Sequence, residues 1–245
     1  MPKLYLLDIE GTTSPIRFVY EVLFPYARSR MREFVSRAAS EGSLESDLRL
    51  VREENQRDRS AGIDAPQIFD QDEKIPSGAG SRIQASVAYL LWLMDRDRKS
   101  TALKSIQGKI WVAGYRSGDL ISEVFPDVPP ALRRWHGDSK IASYSSGSVE
   151  AQKYFFAHTN AGDLTPYLAG YFDTRTGPKT DSGSYSLIVA DFDIPPRDAL
   201  FVSDSVAELD AARNAGVETA LCIRPGNPPI GEHANHWSIR SFEEI

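Results

Sequence analysis

Two acidic residues directly follow the first apolar segment of this 245-residue chain. The run Leu4–Leu7 is apolar enough to form a buried strand, and Asp8, Ile9 and Glu10 come next, followed by a glycine and two threonines. Neighbouring carboxylates repel each other, and burying them is costly unless a cation or hydrogen-bond donors compensate. Open α/β sheets place their ligands at the carboxyl ends of strands. The pattern therefore predicts a divalent cation at the end of a buried strand.

The composition excludes several classes of protein. The chain is 41% hydrophobic and 25% charged, which predicts a folded chain with a sizeable core. Its net charge of −6 argues against a nucleic-acid partner. No apolar run is long enough for a membrane span, and Asp8 and Glu10 interrupt the first one, so we expect no signal peptide, no membrane partner and a cytoplasmic location. The single cysteine, Cys222, predicts no disulfide and is expected to be a buried apolar residue. The acidic surface and single core favour a monomer.

Strand-like and helical segments alternate in the second half of the chain. This alternation predicts an α/β fold with a doubly wound, Rossmann-like parallel sheet. Helical periodicity dominates the intervening segment, with a loop-like stretch near residues 60–80. We predict a catalytic core formed by residues 1–14 and 108–245, and an all-helical cap over residues 15–107 inserted after the first strand. The strand candidates are residues 3–8, Lys140–Tyr144, Ala199–Ser203 and Glu218–Ile223.

Three later segments carry polar residues suited to binding a phosphate and a metal. Ser145 and Ser146 follow a strand and precede a helix, where hydroxyls and backbone N–H groups can bind an anion. Lys179 lies in a glycine-proline turn, and Asp204 ends an apolar strand. Each has an ordinary alternative when taken alone: a serine helix cap, a solvated lysine, or an aspartate helix cap. Asp204 is nevertheless a suitable magnesium ligand, because hard cations prefer oxygen donors.

The order acid, serine, lysine, acid resembles the motif order of the haloacid dehalogenase superfamily of aspartate-nucleophile phosphatases. Asp8 with Glu10 matches the first motif, Ser145 or Ser146 the second, Lys179 the third and Asp204 the fourth. The long interval between the first and second motifs is similar to that in the helical-cap subgroup of this superfamily. The resemblance implies a phosphatase core with one magnesium ion per chain.

Glu10 narrows the resemblance, because phosphatases of this superfamily usually have aspartate there. Glutamate inside this motif is similar to the acireductone synthases, the enolase-phosphatases of methionine salvage. Further blocks that fit them are Pro15–Val19, Leu23–Tyr26, Asp97–Gly108, Tyr144–Gln152, Gly170–Thr174 and Arg224–Asn227. This resemblance implies a phosphorylated diketone substrate, 2,3-diketo-5-methylthiopentyl 1-phosphate. The substrate would pass through an enol phosphate to 1,2-dihydroxy-3-keto-5-methylthiopentene, the acireductone, with release of phosphate.

The resemblance also implies a role for each motif residue. Asp8 would be the nucleophile and Glu10 the general acid and base, with Glu10 also the first candidate for the enolisation base. Lys179 would be catalytic and would bind the phosphoryl group together with Ser145 and Ser146. The metal ligands would be Asp8, Glu10 through its backbone carbonyl, and Asp204.

Other interpretations stay open on the sequence alone. A generic magnesium-dependent small-molecule phosphatase or a phosphomutase would share Asp8, Lys179 and Asp204, although Glu10 speaks against a mutase. A non-catalytic binding module on the same scaffold would be expected to lose one of the three. Tyr144 and Arg116 border the motifs, but a core aromatic and a surface charge are the favoured interpretations. The four histidines have no ligand spacing and are expected to be structural or solvated: His136, His158, His233 and His236.

Overall fold

A computed structural model describes residues 1–69, 81–229 and 235–245 of the chain. Its central element is a parallel sheet of six strands in the order β3-β2-β1-β4-β5-β6. The predicted doubly wound α/β class is therefore confirmed. The strands are β1 (Leu4–Leu7), β2 (Lys140–Tyr144), β3 (Gly170–Phe172), β4 (Ala199–Ser203), β5 (Glu218–Cys222) and β6 (Trp237–Ile239).

The strand order reverses at β1, which lies between β2 and β4. Leu7 pairs with Ser143 on one side and with Val202 on the other, so these three strands end at the same edge. Ligands bind at such a reversal in open α/β sheets, outside the carboxyl ends of the strands. The four central strands are rich in fully buried residues, as a sheet covered on both faces requires.

Nine α-helical segments occur in the described part of the chain. A π-helical turn, Val19–Leu23, joins the first two, and three short 3-10 helices lie at Thr165–Tyr167, Pro196–Asp198 and Phe242–Glu244. The α-helices are α1 (Ile16–Phe18), α2 (Phe24–Ser40), α3 (Glu45–Ser60), α4 (Arg82–Asp95), α5 (Thr101–Ser117), α6 (Val128–His136), α7 (Val149–Ala157), α8 (Ser182–Asp191) and α9 (Val206–Asn214).

The chain divides into two compact units. The α/β unit comprises Met1–Val22 and Gly114–Ile245, and the helical unit comprises Leu23–Ala113. The α/β unit extends beyond the predicted end at residue 14, because Phe18 is buried and packs edge-on against Phe155 of α7. At the other boundary, the Ser122 hydroxyl donates a hydrogen bond to the Tyr115 hydroxyl at 2.8 Å within the α/β unit.

The helical unit has its own hydrophobic core, formed by one face of each of its helices. Buried side chains include Met31 and Val35 of α2, Val51 of α3 and Leu90 of α4. Buried or half-buried acids connect the helices at their polar edges: Asp47 accepts a hydrogen bond from Ser105 at 2.5 Å and pairs with Lys109, and Asp58 accepts from Tyr89 and Arg98. Each helix thus buries its apolar side, as an amphipathic sequence predicts.

The structure adds two edge strands that the sequence does not predict, β3 and β6. Both have three residues, and neither is a continuous buried run. Cys222 is buried, as predicted, and burial raises the pKa of its thiol to about 12. His233 and residues 70–80 of the predicted loop lie outside the described residues. Within the described ranges, no helix combines the length and apolar character needed to cross a bilayer.

Candidate active site

Asp8 stands at the end of the most buried strand of the sheet. Its backbone N–H donates to the Val202 carbonyl at 3.0 Å, which continues the pairing of β1 with β4. Its side chain is 8% exposed. Lys179 Nζ lies 2.6 Å from Asp8 Oδ1, and the Ser203 hydroxyl makes a long contact of 3.5 Å with Oδ2. The sheet therefore presents Asp8 as a shielded carboxylate with one strong cationic partner.

The loop after Asp8 turns sharply and brings Asp204 next to Gly11. The Ile9 carbonyl accepts hydrogen bonds from the backbone N–H groups of Thr13 and Ser14. Gly11 has a φ of +69°, and a Cβ atom added there would lie only 2.2 Å from Asp204 Oδ2. This position thus requires glycine for two reasons, the left-handed backbone and the close approach of a carboxylate.

Lys179 occupies the space between two carboxylates and is almost completely buried. Its Nζ lies 2.6 Å from Asp8 Oδ1 and 2.6 Å from Glu208 Oε2, and its side chain is 10% exposed. Burial works to lower the pKa of Lys179, but the charges of Asp8 and Glu208 outweigh it and raise the pKa above its usual value. A lysine with two acidic partners stays charged, and its position is well defined.

The turn that carries Lys179 is attached to the core by two tyrosines. The Tyr144 hydroxyl donates to the Gly177 carbonyl at 2.9 Å, and the Tyr185 hydroxyl donates to the Lys179 carbonyl at 2.7 Å. Both side chains are fully buried, and their rings meet edge-on. Tyr144 is therefore the core aromatic that the sequence favours, and its hydroxyl also helps to fix the lysine turn.

Glu208 is a site residue for which the sequence analysis predicts no role. It lies in the first turn of α9, contacts Lys179, and accepts a hydrogen bond from the Ser203 hydroxyl at 3.0 Å. Burial and the charge of Asp8 raise its pKa, and Lys179 opposes the rise. The signal that could have identified it is its place in the first turn of a helix that begins two residues after Asp204, which puts two acids near the same strand end.

The surroundings of Asp204 do not compensate the negative charge that its carboxyl group has when ionised. Burial, then Asp8 and Glu208, raise its pKa to about 7, against the opposing charge of Lys179. Beside it, the Asn227 side chain donates through Nδ2 to the Gly11 carbonyl at 2.9 Å, while its buried Oδ1 has no hydrogen-bond partner. That oxygen lies 3.0 Å from the same Cβ point at Gly11. Uncompensated oxygens around this point fit a hard cation.

The ligand set that the sequence predicts for a cation consists of two side chains and one backbone carbonyl. Among the described residues, no group of three or more His, Cys, Asp or Glu side chains is arranged to hold a metal ion. The predicted set needs only Asp8 and Asp204 together with the backbone oxygen of Glu10. Glu10 itself is exposed, unlike the two aspartates. All three donors are oxygens, which is the ligand chemistry that a magnesium ion takes.

Ser145 and Ser146 lie at the carboxyl end of β2, but their surroundings differ. Ser145 is buried, and its hydroxyl accepts a hydrogen bond from the Gly147 N–H at 3.2 Å. Ser146 is exposed. β2 is the neighbour of β1, so both serines lie at the sheet edge where Asp8 ends its strand. The structure thus brings the four motifs to adjacent strand ends.

The remaining residues that the sequence singles out lie away from these contacts. Arg116 is a surface residue whose guanidinium donates to the Tyr154 hydroxyl at 2.5 Å. His136 packs edge-on against Tyr167. His158 stacks on Tyr154. His236 is buried in contact with α9, and burial and the Arg213 charge lower its pKa.

Comparison with known proteins identifies the family of the chain. The family model of haloacid dehalogenase-like hydrolases matches residues 2–216. Enolase-phosphatase E1 of Synechococcus elongatus is 47% identical over 98% of this chain and 96% of its own length. A probable bifunctional methylthioribulose-1-phosphate dehydratase/enolase-phosphatase E1 of Populus trichocarpa is 41% identical over the whole of this chain, which covers 47% of that relative.

A solved structure resembles the entire chain. The crystal structure of the UTR4 protein of Saccharomyces cerevisiae covers 100% of both chains with a TM-score of 0.75 and 33% sequence identity. Fold and sequence identity agree, and the chain belongs to the enolase-phosphatase E1 family of haloacid dehalogenase-like hydrolases.

Proposed function

We propose that this phosphatase enolises 2,3-diketo-5-methylthiopentyl 1-phosphate and then removes its phosphate to give the acireductone of methionine salvage. The observation that carries the proposal is the buried Lys179, which lies 2.6 Å from the Asp8 carboxylate beside the unbalanced Asp204. A carboxylate next to a fixed cation suits attack on phosphorus, since the cation can also stabilise the phosphoryl oxygens. The names of the E1 relatives support the double activity.

Each residue of the site has a task in this reaction. Asp8 attacks phosphorus and forms an aspartyl-phosphate, while Lys179 and Ser145 hold the phosphoryl oxygens. Ser146, which is exposed, would bind the same group together with Ser145. Glu10 protonates the leaving oxygen and then activates the water that hydrolyses the aspartyl-phosphate. The proton transfer of the enolisation step is also assigned to Glu10.

A magnesium ion held by Asp8, the Glu10 carbonyl and Asp204 would neutralise the repulsion between the nucleophile and the phosphate. The chain's own contribution is the glycine at position 11, whose missing side chain allows the Asp204 carboxylate to approach the loop that follows Asp8. We expect one ion per chain. A monomeric, cytoplasmic enzyme acting on a small molecule, without nucleic-acid or membrane partners, completes the proposal.

The direct test follows the diketone phosphate with magnesium, recording enediol absorbance and free phosphate in the same sample. We expect both signals, with the enediol appearing no later than the phosphate. Asp8→Asn should abolish phosphate release, whereas Asp198→Asn, at the opposite end of β4, should not. Phosphate release from simple esters without turnover of the diketone would instead indicate a generic phosphatase.

A further inference from the structure

The end of β3 connects the segment that carries the serines to the segment that carries Lys179. Asp173 directly follows β3, and its side chain is 6% exposed. One carboxylate oxygen, Oδ2, accepts the Val149 N–H at 3.0 Å, and the other, Oδ1, accepts the Arg175 N–H at 2.9 Å. The Arg175 guanidinium pairs with both oxygens, and its own side chain is 78% exposed. A buried carboxylate thus joins two loops of the site.

The hydrogen bond to Val149 fixes the start of α7. Val149 is the first residue of that helix, and a helix leaves its first N–H groups without internal partners. Asp173 accepts one of them, and the Ser148 hydroxyl accepts another from Ala151 at 3.2 Å. A negative acceptor is favourable at this end of a helix dipole. The helix therefore begins in a defined position directly after the serine segment.

Three further hydrogen bonds connect the serine segment, α7 and the same strand end. The Ser145 N–H donates to the Phe172 carbonyl at 3.1 Å. The buried Gln152 amide, on α7, donates to the Phe172 carbonyl and to the Gly147 carbonyl, both at 2.8 Å. Segment 145–149 is thus held at its beginning, middle and end, and Asp173 supplies the only one of these contacts that we find to be charged.

The charge of Asp173 is maintained by its partners. Burial alone would raise the pKa of Asp173, but hydrogen bonds from Arg175 and Val149 outweigh it and hold the pKa below its usual value. The acceptor is therefore ionised at neutral pH, and hydrogen bonds to charged acceptors are the strong ones.

We propose that Asp173 is a positioning residue for phosphate binding, because its carboxylate sets the orientation of segment 145–149 through the Val149 N–H. The inference rests on the proposed function only in assigning the phosphoryl group to Ser145. Asp173 acts through this segment and is not assigned any contact with the substrate.

Direct binding of inorganic phosphate tests the proposal without turnover. In the presence of magnesium chloride, calorimetry should show phosphate binding about tenfold weaker for Asp173→Asn, the scale of one charge-assisted hydrogen bond. Arg175→Gln, which leaves the Val149 contact in place, should bind within about twofold of the parent. In steady-state assays KM should rise for Asp173→Asn much more than kcat falls.

A second pair of variants tests the hydrogen-bond donor, the backbone N–H of Val149. Val149→Pro removes the N–H at a position where helices accept proline, and the preceding Ser148 has the extended ψ of 150° that proline requires. Val149→Ala shortens the side chain but keeps the N–H. We expect weakened phosphate binding for Val149→Pro and not for Val149→Ala, with both variants folded as judged by circular dichroism.

The outcomes separate this inference from the proposed function. Unchanged phosphate affinity in both Asp173→Asn and Val149→Pro would overturn the positioning role, whatever the substrate is. Equal weakening in Val149→Ala and Val149→Pro would also overturn it, because the N–H would then be irrelevant. A parent enzyme that binds phosphate but leaves the diketone untouched would contradict the proposed substrate and not the role of Asp173.

Discussion

At the scale of single residues, the site depends on one buried lysine and the acids around it. Lys179 has two carboxylate partners at equal distance, and Asp204 lies beside them with its pKa raised to about 7. Removing one partner of a buried charge is costly, since the remaining charge loses its compensation. Each acid should therefore respond differently to substitution, according to its contacts.

Glu208→Gln should lower kcat/KM for phosphate release by about tenfold. The substitution preserves the shape of the side chain but removes one of the two charges that hold Lys179 in place. Steady-state kinetics with the diketone phosphate measure the effect, and Glu218→Gln, at an exposed position on β5, is the matched control. Equal rates for the two variants would show that Asp8 alone positions the lysine.

Gly11→Ala should reduce kcat/KM by about 10²-fold, the scale expected when catalytic groups are displaced by about 1 Å. The new methyl group would overlap Asp204 Oδ2, and the backbone would force alanine into the unfavourable left-handed region at a φ of +69°. Gly118→Ala separates the two causes, because Gly118 has a similar φ of +79° with no atom within 4 Å of the added carbon. This control should lose stability of about 1 kcal/mol but keep its activity.

At the scale of elements, β5 is continued by a segment that supports the loop of the nucleophile. Arg224 donates through Nε to the Thr12 carbonyl at 3.0 Å, and its Nη1 pairs with Asp127 Oδ2 at 2.9 Å. Asp127 also accepts the Phe242 N–H at 2.6 Å, near the carboxyl-terminal end. One buried ion pair thus connects the first motif, α6 and the last 3-10 helix. Its contribution is to hold these elements together.

Asp127→Asn should lower the free energy of unfolding by about 3 kcal/mol, because it leaves the buried Arg224 without its ionic partner. Urea unfolding followed by tryptophan fluorescence measures the change. Glu53→Gln removes an exposed i,i+4 pair with Arg49 and should change the same quantity by less than about 0.5 kcal/mol. Similar values for the two variants would contradict a structural role for the buried pair.

At the scale of the whole molecule, the sequence predicts the centre of the sheet better than its edges. β2 and β4 have the predicted bounds, because each is a short, mostly buried segment that runs directly into a polar turn. β3 and β6 are partly exposed three-residue strands, and pairing with a neighbour stabilises them more than their own composition does. Edge strands of this kind have no distinct sequence pattern.

Local pattern also decides which site residues the sequence predicts. Asp8, Lys179 and Asp204 each follow a strand or lie in a marked turn, so their positions can be read from local pattern. Glu208 and Asp173 act through contacts with segments far away in the chain, and only the folded arrangement shows their partners. The positioning roles of Glu208 and Asp173 are predictions that the experiments above test.

Acid stability should depend on His236, which connects the last strand of the sheet to α9. Its ring contacts Arg213, and Nδ1 lies 2.7 Å from the Thr219 hydroxyl of β5. Because burial and the Arg213 charge lower its pKa, the folded state resists a proton that the unfolded state takes up below about pH 6.5. The contribution of neutral His236 to the free energy of unfolding is complete above that pH. It is lost as the pH falls through the pKa of His236 in the folded state. His236→Gln should therefore lose less melting temperature between about pH 7 and about pH 5 than the parent does. His136→Gln changes an exposed histidine and should follow the parent. Parallel curves of melting temperature against pH for all three proteins would exclude His236 as a source of acid sensitivity.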